Sequence, residues 1–106
     1  MKVILVGPDK DGLGDALSGE GVEVSHIEEM ANRPALEEAG ITEADALVLT
    51  ETEGATAISI AKDLNEGIRV VVYTEDSLPD FARGQTDLIV DPQLLSAEAV
   101  AEELAA

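Results

Sequence analysis

The chain contains no cysteine and no tryptophan among its 106 residues. Disulfides, thiolate metal sites and cysteine nucleophiles are thereby excluded together, in agreement with a reducing compartment. Aromatic residues are limited to Tyr73 and Phe81, and Lys plus Arg number only 6. With no basic patch and only these two aromatics, nucleic acid is not an expected partner. Apolar runs never reach the 18 or so residues of a membrane span, and the strand that follows Met1-Lys2 is too short for a signal-peptide core. A soluble cytoplasmic protein without direct membrane insertion is expected.

What is present in excess is acid. Against 6 Lys plus Arg stand 23 Asp plus Glu, a formal net charge of -17, yet the acids are scattered among apolar runs and 45% of residues are hydrophobic. A folded core can therefore form beneath an acidic surface. Such a surface repels itself in dilute buffer, whereas molar salt shortens the Debye length to about 3 Å, which points to a halophilic protein of a salt-loaded cytoplasm. An acidic surface that meets a basic partner is the competing reading.

Residues 1–106 are the right length for one domain. Short runs rich in Val, Ile and Leu predict strands at 2–6, 22–27, 46–50, 69–73 and 88–90. Helical patterns separate them. Asp11 is placed to cap the first helix, with Leu13 and Leu17 on one face and Gly19 with Gly21 as its stop. Pro34 suits the first turn of a second helix that ends at Gly40. The stretch 55–64 aligns Ile58, Ala61 and Leu64, residues 77–83 form a turn around Pro79, and Ser96 caps a last helix bearing Val100 and Leu104. This alternation predicts a Rossmann-like α/β domain, three layers deep, with a five-stranded parallel sheet in the order 3-2-1-4-5.

With the first strand central, a ligand crevice is expected at the switch between strands one and four, where 7–14, 50–54 and 74–77 converge. The turn after strand one places Gly7, Asp9 and Gly12 at the three positions of a dinucleotide-binding G-x-G-x-x-G. Its middle residue brings a carboxylate to the place of a phosphate, and Asp11 adds a second; such like charges cost on the order of 1 to 4 kcal/mol. Glu28 follows Gly7 by the spacing at which an acid accepts hydrogen bonds from an adenosine ribose. Hydroxyls of Thr50, Thr52 and Thr74 line the crevice floor, with the next helix beginning near Gly54. His26 lacks any catalytic or metal-ligating neighbour and is expected to pack on a strand face.

The run Leu36–Thr50, with its Ala39-Gly-Ile-x-x-Ala-Asp-Ala46 block, together with Ala61-Lys-Asp-Leu-Asn65 and Asp87-Leu-Ile-Val-Asp-Pro92, resembles the N-terminal nucleotide-binding domain of Trk/RCK-type potassium-transport regulators. The likeness implies a Rossmann-like fold, a small nucleotide ligand, NAD(H) or an adenine nucleotide, at Gly7, Gly12 and Glu28, and pairing into a homodimer. Asp9 replaces the second glycine of that pattern.

Response-regulator receivers are a second comparison, since Asp9 and Asp11 follow strand one as their metal-binding acids do. A receiver also requires an Asp at the end of strand three and a Lys after strand five. Thr50 and Asp91 stand there, and only Thr74 matches, so phosphoryl transfer by that route is not expected. A cation held by Asp9, Asp11 and Glu51 or Glu53 is geometrically conceivable, but chance clustering of acids is preferred. No Ser-His-Asp order, metalloprotease motif or Walker loop occurs, and a CTP synthetase would need a cysteine and a phosphate-loop lysine that are missing. The expectation is a non-catalytic nucleotide-sensing or regulatory domain. The alternative is an interaction module with an empty crevice, in which helices such as 55–64 help to form a homodimer face.

Overall fold

Strands that are apolar on both sides must be covered on both faces, and the alternation of short strands with amphipathic helices supplies the covers. A computed structural model describes all of residues 1–106. Strands β1 (Lys2–Val6), β2 (Glu23–Ile27), β3 (Ala46–Leu49), β4 (Arg69–Tyr73) and β5 (Leu88–Val90) form one parallel sheet. Helices α1 (Leu13–Gly19) and α5 (Ala97–Ala105) close one face, around Val3, Leu5, Leu17, Val48, Val71 and Val100. Helices α2 (Arg33–Ala39), α3 (Thr56–Leu64) and α4 (Asp80–Arg83) close the other, around Ile4, Leu36, Leu47, Leu49, Ile58 and Val70. The predicted α/β class and parallel sheet hold.

The strand order does not. It is 2-1-3-4-5, with β3 paired to β1 through Val3–Ala46 to Val6–Leu49 and to β4 on its other side. The reason lies in the side chains. Ala46, Leu47, Val48 and Leu49 are all completely buried, as an interior parallel strand demands, whereas β2 carries Glu23, Ser25 and His26 and is nowhere buried along its length. A polar strand belongs at the edge, so the reversal of strand order falls between β1 and β3 rather than between strands one and four.

Local signals are met in part. The Asn32 side chain accepts the Ala35 N–H at 3.0 Å with Pro34 in the first turn of α2, and Ser96 Oγ accepts the Ala99 N–H at 3.2 Å at the start of α5. The stretch 77–83 resolves into the one-turn helix α4. A 3-10 turn, Thr52–Gly54, precedes α3, which starts at Thr56 rather than near Gly54. Helix α3 buries Ala57, Ile58 and Ala61 and packs Ile60 and Leu64 on the same core. Its apolar face is thus filled within the domain. No helix is long and apolar enough to cross a membrane.

Candidate functional site at the turn after the first strand

Strand β1 delivers the backbone to Gly7, whose φ of 105° lies in the region open chiefly to glycine. A Cβ at Gly7 would stand 2.5 Å from Thr50 Oγ1, so the turn also needs glycine for the close approach of β3's exit. Thr50 Oγ1 donates to Val6 O at 3.2 Å and fixes that approach. Gly12, at φ 74°, then turns the chain into α1 without a side-chain cap of its own. Both glycines of the motif are accounted for by the backbone path.

Asp9 explains the rest of the turn. Its Oδ1 accepts the Leu13 N–H at 2.7 Å and its Oδ2 accepts the Gly14 N–H at 2.9 Å. These are the free amide groups at the start of α1, the groups that a bound phosphate would take in a dinucleotide fold. The carboxylate therefore fills the anion position from within the chain. A Cβ on Gly14 would lie 2.9 Å from Asp9 Oδ2, so Gly14 provides room for this bond. Asp11, the expected cap, is exposed and makes no such bond; Asp9, two residues earlier, caps in its place with both oxygens on the helix-start amides.

His26 also differs from expectation. Its side chain is partly exposed rather than packed, with Nε2 donating to Gly7 O at 2.6 Å and Nδ1 facing Glu28 Oε1 at 3.6 Å. It ties β2 to the glycine turn.

The predicted site residues do not converge on one pocket. Asp11, Thr50 and Thr74 border a hollow of about 220 Å³ together with Lys10, Tyr73, Glu75, Asp76 and Pro92. Glu28 borders another, of about 360 Å³, with Glu29, Met30, Glu51, Glu53 and Gly54. Gly7, Asp9, Gly12 and Thr52 border neither. The second hollow presents four carboxylates, an environment that repels phosphate. No group of three or more His, Asp or Glu side chains is gathered closely enough to hold a metal ion.

In the smaller hollow, Thr74 is nearly buried and its Oγ1 accepts the Asp76 N–H at 3.2 Å. Beside it, Tyr73 donates its hydroxyl to Leu95 O at 2.8 Å and so anchors the segment between β5 and α5. Burial, followed by the negative charges of Asp11 and Glu98, pushes the Tyr73 phenol above its ordinary 10.0. Sequence reasoning missed Tyr73, although its place at the end of β4 beside Thr74 was available as a signal.

A parallel sheet in the order 2-1-3-4-5, with its residues of interest at the exits of β1, β3 and β4, defines a doubly wound fold of the flavodoxin-like type. Residues 3–104 match the family described as a family of unknown function (DUF7126), and the chain belongs to it. No curated protein matches the chain. Among solved structures, HP1043, an orphan response regulator of H. pylori, is similar over 98% of this chain and 92% of its own, with a TM-score of 0.75 and 17% identity. An atypical orphan response regulator with a phosphorylation-independent regulatory mechanism gives a TM-score of 0.73 and 18% identity over 97% of this chain and 91% of its own. A CheY-like receiver domain protein from Methanospirillum hungatei gives 0.68 and 17%, over 97% and 89%.

The expected kinship with Trk/RCK domains is corrected by these findings. The block on which it rested serves the backbone path instead. Gly40 ends α2 at φ 89°, Ile41 and Ala44 are buried, and Asp45 accepts the Lys2 N–H at 2.8 Å. Any doubly wound chain that must turn from a helix into an interior strand has use for such a block.

Proposed function

We propose that the chain is a non-catalytic regulatory domain that acts through contact with another macromolecule, without a nucleotide and without phosphoryl transfer. The Asp9 carboxylate bound to the Leu13 and Gly14 amides carries this reading, because a nucleotide phosphate would have to displace a charge already seated there. Thr50 and Asp91 in place of the phosphate-accepting Asp and the Lys of a receiver remove the parts for phosphorylation. The similar fold of a response regulator with a phosphorylation-independent mechanism supports a regulatory role of this kind.

The test is a melting panel in molar KCl with NAD, NADH, ATP, ADP, AMP and CTP. None should move the midpoint. A nucleotide that stabilises the fold, by about 2.7 kcal/mol when present at 100 times its dissociation constant, overturns the proposal.

A further inference from the structure

Seven large apolar side chains are exposed, and five of them, Phe81, Leu88, Ile89, Leu94 and Leu95, fall within fifteen consecutive residues around the edge strand β5. Ile89 is 50% exposed and Leu94 81%. The strand's outer edge is open, since β5 is last in the sheet and pairs only with β4. Val90 O accepts the Thr74 N–H at 3.1 Å, so Leu88 and Val90 turn their backbone groups toward β4. By the alternation of a parallel ladder, Ile89 turns its N–H and C=O outward. β5 has no charged residue, the usual protection of an edge.

Around this apolar edge acid predominates, although Asp87, just before β5, is already engaged by Lys62 Nζ at 3.5 Å and by the Val70 N–H at 2.7 Å. Between Glu75 and Glu98 the chain carries six carboxylates and one guanidinium, that of Arg83. A second copy presenting this edge would bring a predominantly acidic segment against its own like, while a cationic segment would meet the complement of its own charge.

We propose that β5 is a docking edge for an extended segment of a partner protein in which basic and apolar residues alternate. The segment adds to the sheet beside Ile89, its apolar side chains cover Ile89 and its exposed neighbours, and its basic side chains face the surrounding carboxylates. This names the partner of the contact domain proposed above and rests on that reading.

Three synthetic peptides of equal length, alternating Lys–Val, Lys–Ser and Glu–Val, are titrated calorimetrically against the whole chain at the lowest KCl concentration at which it still melts cooperatively. Lys–Val should bind at least about tenfold more tightly than the other two. Ile89→Asp should weaken it by about tenfold despite adding a negative charge, and Ile89→Ser should do so without changing the charge; Met30→Asp, remote from β5, should leave it within about twofold. Equal binding of Lys–Val and Lys–Ser would overturn the proposal in favour of charge alone. Indifference to both Ile89 variants would overturn it as well, and so would a dimer in light scattering that Ile89→Ser dissolves, which makes the occupant a second copy. A nucleotide-induced shift of the melting midpoint instead contradicts the contact reading itself, whatever the peptides do.

Discussion

The two edges of the sheet are built oppositely. β2 carries Glu23, Ser25 and His26; Glu23 faces Lys2 at 3.7 Å and His26 bonds Gly7 O. An incoming strand would meet charge and committed polar groups there. β5 offers Leu88 and Ile89 with no charge on the strand, and exposed leucines follow it. Edges are ordinarily blunted against pairing, so an unblunted edge beside a blunted one marks the side on which contact is tolerated or used.

The contrast is broken most severely by moving a charge inward. Val48→Lys places an ammonium in β3, where Val48 has no exposure, and should cost at least about 4 kcal/mol, abolishing a cooperative melt. Ser25→Lys on half-buried β2 should cost about 1 kcal/mol or less by the same denaturant titration. Equal losses would contradict the assignment of β3 to the interior and β2 to the edge.

Next in size is the turn that both edges flank. Asp9→Ala leaves two helix-start amides without their acceptor and should lower stability by about 1 to 2 kcal/mol, read from the urea midpoint. Peptide binding at β5 should be unchanged in this variant. A loss of binding would mean that the turn and the β5 edge are not independent.

Tyr73→Phe removes the hydroxyl that holds Leu95 and should cost about 1 kcal/mol. Because the folded phenol titrates above 10.0, its contribution is fully present below pH 10 and declines as pH rises through the higher folded value. Above pH 10 the wild type should therefore lose stability faster than Tyr73→Phe. As the chain's single tyrosine, Tyr73 can be followed by absorbance, and a midpoint at or below 10.0 would contradict its burial.

The smallest effect on folding belongs to β5. Ile89→Ser should alter stability by no more than about 0.5 kcal/mol, because that side chain is already half in water. A larger loss would mean that Ile89 serves the core.

Much of this was legible in the sequence, and the errors are instructive. The five strands emerged from their Val, Ile and Leu content, and β5 is an edge in the expected order as well as in the observed one. Reading β3 as an edge ignored its unbroken Ala-Leu-Val-Leu, beside a β2 that carries Glu, Ser and His. That composition already argued for the exchange. Gly7 and Gly12 resembled a ligand motif because the same left-handed turns serve any strand that must bend sharply into a helix. What no pattern revealed was the partner of Asp9. A carboxylate that would repel a phosphate and one that substitutes for it look alike until the distances to Leu13 and Gly14 are known. Exposure at Ile89 was equally hidden, since Leu-Ile-Val reads from composition alone as a buried strand.

Amide chemical-shift mapping during titration with the Lys–Val peptide tests the central claim most directly. The account predicts shifts concentrated at Phe81 and at Leu88, Ile89 and Val90, with the Leu13 and Gly14 amides unmoved on Asp9. Shifts centred on Leu13 and Gly14, or spread along β2, would contradict it.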